Sequence, residues 1–327
     1  MNKNKNIRWG IIGCGAVTEV KSGPAYQKTD GFEVVAVMRR NAELVQDYAQ
    51  RHGIKKYYTD AQALIDDDEV DAVYIATPPD SHMEYALKVA KANKIACIEK
   101  PLAPSLSDSE AIVAAFEAAK LPLFVAYYRR SLPRFQQVKQ CIDNGDIGSV
   151  RHVSWQFHSP TSALDESKEY NWRTDKQVAL GGYFDDLASH GLDLFAYLFG
   201  NYEKVSGVGV NQQALYSAFD AVSACWHHKN GITGTGYWNF GAFKHKDEVV
   251  VLGSLGEIRF SIFEEQPIYI YTGDQTQSFN IENPENIQRY HVENMRQQLS
   301  SGEPVHPSTG QTALHTSWVM EQILQAD

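Results

Sequence analysis

The stretch IRWGIIGCGAVT, residues 7–18, decides the fold of this chain. An apolar run, Ile7–Ile12, leads directly into a glycine turn, and a helical pattern follows it. A strand that ends in such a turn and continues as a helix is typical of a dinucleotide-binding βα unit. The first glycine permits the tight turn, and the second lets the backbone approach a pyrophosphate, which the N–H groups of the helix start can bind. The residues predicted to bind the dinucleotide here are Gly13, Gly15, Ala16 and Val17.

Apolar runs and amphipathic stretches alternate after this turn. Strands that alternate with helices indicate a parallel, doubly wound sheet covered on both faces. We therefore predict that residues 1–126 form a Rossmann domain, so that the protein is of the α/β class. The predicted strands are Ile7–Ile12, Phe32–Met38, Ala72–Ala76, Ile95–Ile98 and Leu123–Ala126, and the predicted helices are Val17–Gln27, Ala42–Arg51, Ser81–Ala92 and Ser107–Ala119.

Residues 127–327 follow a different pattern, with consecutive strand-like segments joined by short Gly-containing turns. This pattern predicts an α+β domain with a large, mostly antiparallel open sheet. Its terminal helix is expected to pack back toward the first domain. The predicted strands are Val150–Phe157, Lys204–Gln212, Ala218–His227, Thr233–Asn239, Glu248–Leu252, Glu257–Phe260 and Ile268–Tyr271, and the predicted helices are Leu132–Asn144, Gly182–Phe199, Glu285–Ser300 and Gly310–Gln325.

Composition excludes several classes of function. The chain has 327 residues and a formal net charge of -10, which argues against binding to nucleic acid or to an anionic membrane. No apolar run approaches the ~20 residues needed to span a bilayer, and the N-terminus does not have the pattern of a signal peptide. The four cysteines are widely scattered, which predicts reduced thiols in a cytoplasmic protein and no metal site.

Two arginines, Arg39 and Arg40, follow the second predicted strand, where an NAD-preferring site usually has an acid. A guanidinium suits the 2′-phosphate of NADP, whereas an acid would repel it. The alternative is that both arginines are merely solvated side chains at a strand end. We predict that both bind the cofactor and that NADP(H) is favoured over NAD(H).

Two more strand ends carry candidate site residues. Thr77-Pro78 follows the predicted strand Ala72–Ala76, and we expect cofactor contacts from Thr77, Pro78 and the nearby His82. Asp80 or Ser81 is equally consistent with a simple helix cap. Glu99-Lys100-Pro101 follows the next strand, so Lys100 is expected to project toward the cofactor and to share or exchange a proton.

In the second half, Asp186 and His190 are four residues apart on a predicted helix and therefore share one face. A carboxylate can hold an imidazole in one tautomer and leave its other nitrogen to move a substrate proton. An ordinary i,i+4 pair is the alternative. Together with the strand-end lysine and the glycine turn, the pattern favours a catalytic pair.

Taken together, these motifs resemble the Gfo/Idh/MocA family, named for glucose–fructose oxidoreductase and inositol dehydrogenase. The resemblance covers nearly the whole chain in the right order. It rests on Gly13-Cys14-Gly15, Glu99-Lys100-Pro101, Trp172-Arg173 before Gly181-Gly182, Asp186 with His190, Gly253-Ser254-Leu255-Gly256 and the terminal helix. The chain departs from the family pattern in having Pro79 or Asp80 where an Asn is common, and Tyr183 where a third glycine is frequent.

The resemblance implies a Rossmann domain followed by a domain whose open sheet is used for oligomerisation. It also implies hydride transfer to or from nicotinamide C4, with sugars, inositols or related polyols as substrates. By position, Lys100 would hydrogen-bond the reacting oxygen, His190 would be the acid/base, and Asp186 would bind substrate and orient His190. The resemblance further implies that Tyr128 and Arg129 line the substrate cleft, that Trp172 and Arg173 reach over cofactor and substrate, and that Glu99 belongs to the cofactor-binding motif.

Two other functions stay open at this point. Some relatives use tightly held NAD for glycosidic bond cleavage, against which Arg39 argues. A regulatory protein that only binds the dinucleotide would have no need of Lys100, Asp186 and His190. We expect a sugar-like small-molecule substrate and a homodimer or homotetramer that buries apolar side chains of the later sheet, such as those in Val249–Leu252.

Overall fold

A parallel α/β unit forms the first part of the described chain, which the computed structural model covers from residue 6 to residue 325. Residues 1–5 and 326–327, the outer ends of the two predicted domains, lie outside it. The elements are β1 (Ile7–Ile12), α1 (Ala16–Val20), α2 (Gly23–Lys28), β2 (Phe32–Met38), α3 (Ala42–Arg51), β3 (Lys56–Tyr58), α4 (Ala61–Ile65), β4 (Ala72–Ile75), α5 (His82–Lys91), β5 (Ile95–Ile98), α6 (Leu106–Ala118) and β6 (Leu123–Val125).

The six strands pair in the order β3-β2-β1-β4-β5-β6, and every pair is parallel. Side chains alternate between the two faces of the sheet, so that Trp9 and Ile11 pack in one apolar cluster and Ile12 packs in another. All residues of β4 and β5 are buried. This confirms the predicted Rossmann sheet, whose strands are apolar throughout because both faces are covered.

The second part is built around a larger sheet. Its elements are α7 (Pro133–Asp143), β7 (Val150–His158), α8 (Ala163–Ser167), α9 (Tyr183–Phe199), β8 (Tyr202–Val210), β9 (Ala221–His228), β10 (Thr233–Asn239), β11 (Lys246–Gly253), β12 (Glu257–Phe260), β13 (Ile268–Thr272) and β14 (Gln275–Phe279). Two helices, α10 (Arg289–Ser301) and α11 (Gly310–Leu324), follow the sheet in the described part of the chain.

The eight strands of this sheet pair in the order β14-β13-β12-β11-β7-β10-β9-β8. Only β7 and β10 pair in parallel among them, which confirms the predicted, mostly antiparallel sheet. Helix α9 lies against the sheet through Gly191, where a Cβ atom would approach the ring of Trp155 to 2.3 Å. The side chain of Asp247 is buried there and accepts hydrogen bonds from Trp155 Nε1 (2.8 Å) and from the N–H of Phe263 (2.7 Å).

The chain divides into two compact units. One contains the described residues up to Leu132 together with Pro284–Leu314, and the other contains Pro133–Asn283 together with the described residues from His315 onward. The later segment of the first unit supplies α10 and the start of α11. The sequence predicted a single boundary at residue 126, which does not account for the return of Pro284–Leu314 to the first unit.

Several local predictions were wrong. The predicted helix Val17–Gln27 is two helices, because Pro24 lacks an N–H to continue α1 and instead lies in the first turn of α2. Four elements were not predicted, namely β3, α4, α8 and β14. Each has five residues or fewer, which is too short for apolar periodicity to show.

The predicted apolar stretch Val249–Leu252 does not have one uniform environment. Val249 and Val251 are fully buried within this unit, whereas Leu252 is 40% exposed on the other face of the sheet. That face also exposes other large apolar side chains, namely Val208, Val210, Tyr237 and Tyr269. The alternation of a strand therefore leaves only every second residue of the stretch available to a partner.

Candidate active site

The glycine turn follows β1 and requires both of its glycines for different reasons. Gly13 has φ +92°, and a Cβ atom there would lie 2.9 Å from the backbone carbonyl of Ala76. A Cβ atom at Gly15 would meet nothing closer than 3.9 Å, so this side of the turn faces open space. The first turn of α1 begins there with N–H groups that have no acceptor within the helix. A pyrophosphate therefore fits beside Gly15, while Gly13 allows close packing against the end of β4.

Three strand ends lie side by side at one edge of the sheet. Since β1, β4 and β5 are parallel neighbours, the residues after them meet at the same edge, and the strand order reverses between β1 and β4. Backbone bonds continue across this edge from Ala76 N to the Ile12 carbonyl (2.8 Å) and from Glu99 N to the Ile75 carbonyl (2.9 Å). The structure therefore brings together the glycine turn, Thr77 and Lys100, at the point where open α/β sheets bind ligands.

Glu99 is buried directly before Lys100. Its Oε1 accepts hydrogen bonds from the Tyr74 hydroxyl (2.5 Å) and from Gln288 Nε2 (2.7 Å), and its Oε2 accepts one from the N–H of Lys100 (3.2 Å). Burial, with the charge of Glu99, raises the pKa of Tyr74 well above its usual value, so its phenol remains a donor. The carboxylate of Glu99 thus holds the backbone of Lys100, and the lysine itself is half-buried.

His82 is fully buried between two loops. Its Nε2 lies 2.8 Å from the Thr77 carbonyl oxygen, and its Nδ1 lies 3.1 Å from the Pro101 carbonyl oxygen. Burial lowers the pKa of His82. The ring lies between the loop after β4 and the loop after β5, and its single N–H in the neutral form donates to one of these carbonyl oxygens. The Ser81 hydroxyl donates to Thr77 Oγ1 (2.8 Å) on the same edge. His82 and Ser81 therefore set the position of Thr77 within the first unit.

The two arginines after β2 are placed differently. Arg39 is half-buried, and its Nη1 donates a hydrogen bond to the Cys14 carbonyl at 3.3 Å, so its guanidinium lies against the glycine turn. Arg40 is exposed. Only Arg39 is therefore held beside the predicted dinucleotide position by a contact that the structure shows.

Tyr128 and Arg129 follow β6, the strand next to β5. They lie in a short 3₁₀ turn, Tyr128–Ser131. The guanidinium carbon of Arg129 is 5.4 Å from the ring centroid of Tyr128, and Arg129 is 5% exposed. This pair therefore lies along the same edge as Lys100, within the first unit.

The remaining predicted residues lie in the second unit. Asp186 and His190 are on successive turns of α9, as the spacing predicted, and His190 is buried with its ring centroid 5.9 Å from that of Phe263. Arg173 Nε donates to Asp186 Oδ2 at 2.6 Å, and its guanidinium carbon is 4.4 Å from the centroid of the Trp172 ring. The structure thus connects the 3₁₀ turn Trp172–Thr174 to the helix that carries His190.

A second carboxylate adjoins Asp186. Burial, reinforced by the charge of Asp186, raises the pKa of Asp185 to about 7, although the N–H of Gly181 donates to Asp185 Oδ2 (3.0 Å) and opposes that rise. The Asp185 carboxyl therefore releases its proton at a higher pH than an exposed aspartate does. Its neighbour Asp186 is the carboxylate that binds Arg173.

Sequence reasoning missed the residues that hold these candidates in place. Tyr74 is 25 positions from Glu99 and Gln288 is 189 positions from it, and Asp165 is 18 positions from the residue it binds on α9. No spacing rule connects such pairs, because only folding brings them together. Within residues 6–325, no group of three or more His, Cys, Asp or Glu is arranged to hold a metal ion, and no helix is long and apolar enough to cross a membrane. All four cysteines are free thiols.

Comparisons with known proteins show the family of this chain. Residues 7–127 match the domain described as oxidoreductase family, NAD-binding Rossmann fold, and residues 135–259 match the Gfo/Idh/MocA C-terminal domain. The chain belongs to the Gfo/Idh/MocA family. It is 40% identical over 288 residues to oxidoreductase P35 of Formosa agariphila, which spans 88% of this chain and 89% of that protein.

Two further proteins are similar to this chain over a smaller share or at lower identity. D-apiose dehydrogenase of Paraburkholderia graminis is 30% identical over 231 residues, which is 70% of this chain and 59% of that protein. A structure of levoglucosan dehydrogenase in complex with NADH and levoglucosan is similar with a TM-score of 0.86 at 22% identity, over 98% of this chain and 96% of that one. The last comparison shows the common fold.

Substitution of Gly13 tests whether the close contact of a Cβ atom matters in addition to the positive φ of this residue. Gly13→Ala should abolish measurable dinucleotide binding and lower the free energy of unfolding by more than Gly145→Ala does. Both glycines have positive φ, but a Cβ atom at Gly145 would meet open space. The control should therefore lose only the conformational cost, about 1–2 kcal/mol. Urea unfolding and fluorescence titration with NADPH measure the two effects, and equal losses in both variants would contradict the close-contact role.

Proposed function

We propose that this protein is an oxidoreductase that transfers a hydride between C4 of NADP(H) and a carbonyl or hydroxyl carbon of a sugar, ketosugar or inositol-like polyol. The observation that carries the proposal is the edge of the parallel sheet where the glycine turn, Thr77 and Lys100 lie side by side. Membership in an NAD-binding oxidoreductase family supports it. Among the relatives, D-apiose dehydrogenase is by its name an enzyme of sugars.

The residues of this chain have distinct roles in the proposed reaction. Gly15 and the start of α1 bind the pyrophosphate, with Ala16 and Val17, while Thr77 and Pro78 contact the cofactor from the neighbouring strand end. When bound, the nicotinamide supplies or accepts the hydride. Lys100 donates a hydrogen bond to the reacting oxygen and thereby stabilises negative charge on it. His190 takes the hydroxyl proton during oxidation and returns it during reduction, while Asp186 orients it.

Other residues bind rather than react. Tyr128 and Arg129, which lie beyond the end of β6, line the substrate position, and Trp172 with Arg173 covers cofactor and substrate. An Arg–carboxylate pair such as Arg173 and Asp186 is rigid enough to present a carboxylate oxygen to substrate hydroxyls. Hydroxyl-rich substrates suit a site with this density of hydrogen-bonding groups.

Substitution of the two proposed catalytic groups tests the reaction. A screen of sugars, ketosugars and inositols for NADPH or NADP consumption identifies a substrate first. His190→Asn should then lower kcat by about 10²–10⁴-fold, the usual contribution of a positioned acid/base, with little change in the Kd for NADPH. Lys100→Ala should cost at least as much, because it also removes polarisation of the reacting oxygen.

His227→Asn is the matched control for the histidine, since His227 lies on β9 beside Glu203 and outside the proposed site. It should retain normal turnover. If both His190→Asn and Lys100→Ala kept near-normal turnover of a genuine substrate, these residues would not form the active site. The dinucleotide would then be a ligand that the protein senses.

Cofactor choice is tested at Arg39, whose guanidinium lies against the glycine turn. Arg39→Asp should weaken NADPH binding relative to NADH by about 10–100-fold, because one hydrogen bond to a charged group contributes about 1.5–3 kcal/mol. Lys91→Asp makes the same change of charge at the exposed end of α5 and should leave the ratio of the two dissociation constants unchanged. Equal affinities for NADPH and NADH in the unaltered protein would refute the preference.

Assembly into a homodimer or homotetramer is part of the proposal, with the exposed face of the eight-stranded sheet as the contact between copies. Leu252 lies on that face, whereas Leu255, 69% exposed, lies in the turn between β11 and β12. Leu252→Glu should lower the mass measured by light scattering toward that of the monomer, because a buried charge opposes association, and Leu255→Glu should not. A monomer mass for the unaltered protein across a wide range of concentration would exclude the oligomer.

A further inference from the structure

Helix α9 begins with Tyr183, directly after the pair Gly181-Gly182. Gly182 precedes it with φ +65°, and a Cβ atom at Gly182 would lie 2.5 Å from the Phe219 carbonyl oxygen, so the chain enters the helix through a tight turn. Tyr183 is half-buried, and its ring centroid lies 5.4 Å from that of Phe240 and 6.3 Å from that of Tyr216. The ring is therefore held in place, and its hydroxyl has a defined position.

That hydroxyl has partners on one neighbouring segment, where the Ser162 side chain also faces it. It donates a hydrogen bond to Asp165 Oδ1 (2.7 Å) and accepts one from Asn171 Nδ2 (3.0 Å). Asp165 is 7% exposed and lies in α8. Burial, together with the charge of Asp165, raises the pKa of Tyr183, so the hydroxyl stays protonated and keeps donating. One oxygen atom thus connects the start of α9 to both ends of residues 165–171.

Asn171 also accepts hydrogen bonds from the residues that follow it. Its Oδ1 accepts from the N–H of Arg173 (3.2 Å), and its carbonyl accepts from the N–H and the hydroxyl of Thr174 (2.9 Å each). These bonds set the shape of the 3₁₀ turn Trp172–Thr174. Arg173 then reaches Asp186 at 2.6 Å. Residues 165–174 are consequently attached to α9 at two points, Tyr183 and Asp186, which are one helical turn apart.

Away from α9, the C-terminal end of the segment is held by the Thr174 carbonyl, which accepts hydrogen bonds from the N–H of Ala218 and from the Ser217 hydroxyl (3.3 Å each). Residues 166–170 are exposed, and a groove of about 290 Å³ lies beside the segment, lined in part by Asp165, Asn171, Thr174 and Tyr216. An open groove leaves the segment room to move, because no packed side chains block it. The bonds of the Tyr183 hydroxyl therefore hold Asp165 and Asn171, the two residues that flank the exposed stretch 166–170, to the start of α9.

We propose that Tyr183 is a positioning residue whose hydroxyl holds Asp165 and Asn171, so that Arg173 stays on Asp186 and Trp172 stays beside the substrate. The proposal rests on the proposed function for its effect on substrate. The hydrogen bonds on which it depends are independent of that function. Tyr183 thereby acts by ordering a loop through its hydroxyl.

Tyr183→Phe tests this proposal, because it keeps the ring and removes only the hydroxyl. The KM of the sugar substrate should rise, and kcat/KM should fall about 10–100-fold, as expected when a substrate-positioning loop is misplaced. Tyr202→Phe is the matched control, since it removes a hydroxyl that donates to the Leu192 carbonyl (2.9 Å) in the same unit. A purely structural loss, as in the control, lowers the fraction of folded enzyme and leaves KM unchanged.

A second measurement needs no substrate. In hydrogen exchange, the amides of residues 171–174 should exchange about tenfold faster in Tyr183→Phe and at the normal rate in Tyr202→Phe. The double variant Tyr183→Phe/Asn171→Ala should exchange no faster than Asn171→Ala alone, because both changes break the same connection. Additive effects would mean that the two residues act separately.

Each outcome decides between the alternatives. Unchanged exchange in Tyr183→Phe overturns the proposal, and so does faster exchange with an unchanged KM, since the hydroxyl would then order the loop without serving the substrate. If the unaltered protein converts no sugar or polyol, the proposed function fails. The exchange experiment then still decides whether the Tyr183 hydroxyl holds residues 171–174.

Discussion

A carboxylate buried at the end of a parallel strand has to be satisfied by the protein around it, and in this chain that carboxylate is Glu99. Its three hydrogen bonds come from Tyr74 on the adjacent strand, from Gln288 and from the N–H of Lys100. A buried charged acceptor left without a donor costs more than the roughly 1–3 kcal/mol of a neutral group. The return of residues 284–314 to the first unit is therefore part of the candidate site, because that segment supplies Gln288. The backbone of Lys100 is held by this network beside the glycine turn.

The second unit places His190 by a different constraint, the close approach of a helix to a sheet. Gly191 permits the contact, because any larger residue would collide with Trp155. Asp247 binds Trp155 and the N–H of Phe263, and the Phe263 ring lies against His190. On the other side of the helix start, Arg173 binds Asp186. The position of His190 thus follows from the packing of α9 on the sheet and from the buried hydrogen bonds of Asp247.

Much of this fold was predictable because its signals are local and strong. The strands β1, β2, β5, β10 and β12 were predicted with the bounds that the structure gives them, since each is a short apolar or alternating run between turn residues. The Rossmann class, the antiparallel sheet and the family were confirmed. The short elements β3, α4, α8 and β14 were missed because so few residues carry no periodicity, and Pro24 divided a helix that periodicity alone made continuous.

By itself, the sequence determined which residue types stand at the strand ends. Spacing along the chain predicts the glycine turn after β1, Thr77 after β4 and Lys100 after β5. It also places Asp186 four residues before His190. Tertiary structure alone decided which groups surround them, because hydrogen bonds such as those of Glu99 with Gln288 and of Tyr183 with Asp165 join residues with no fixed separation along the chain. Local propensity acts over a few residues, whereas a buried polar group takes whatever partner the fold brings within about 3 Å of it.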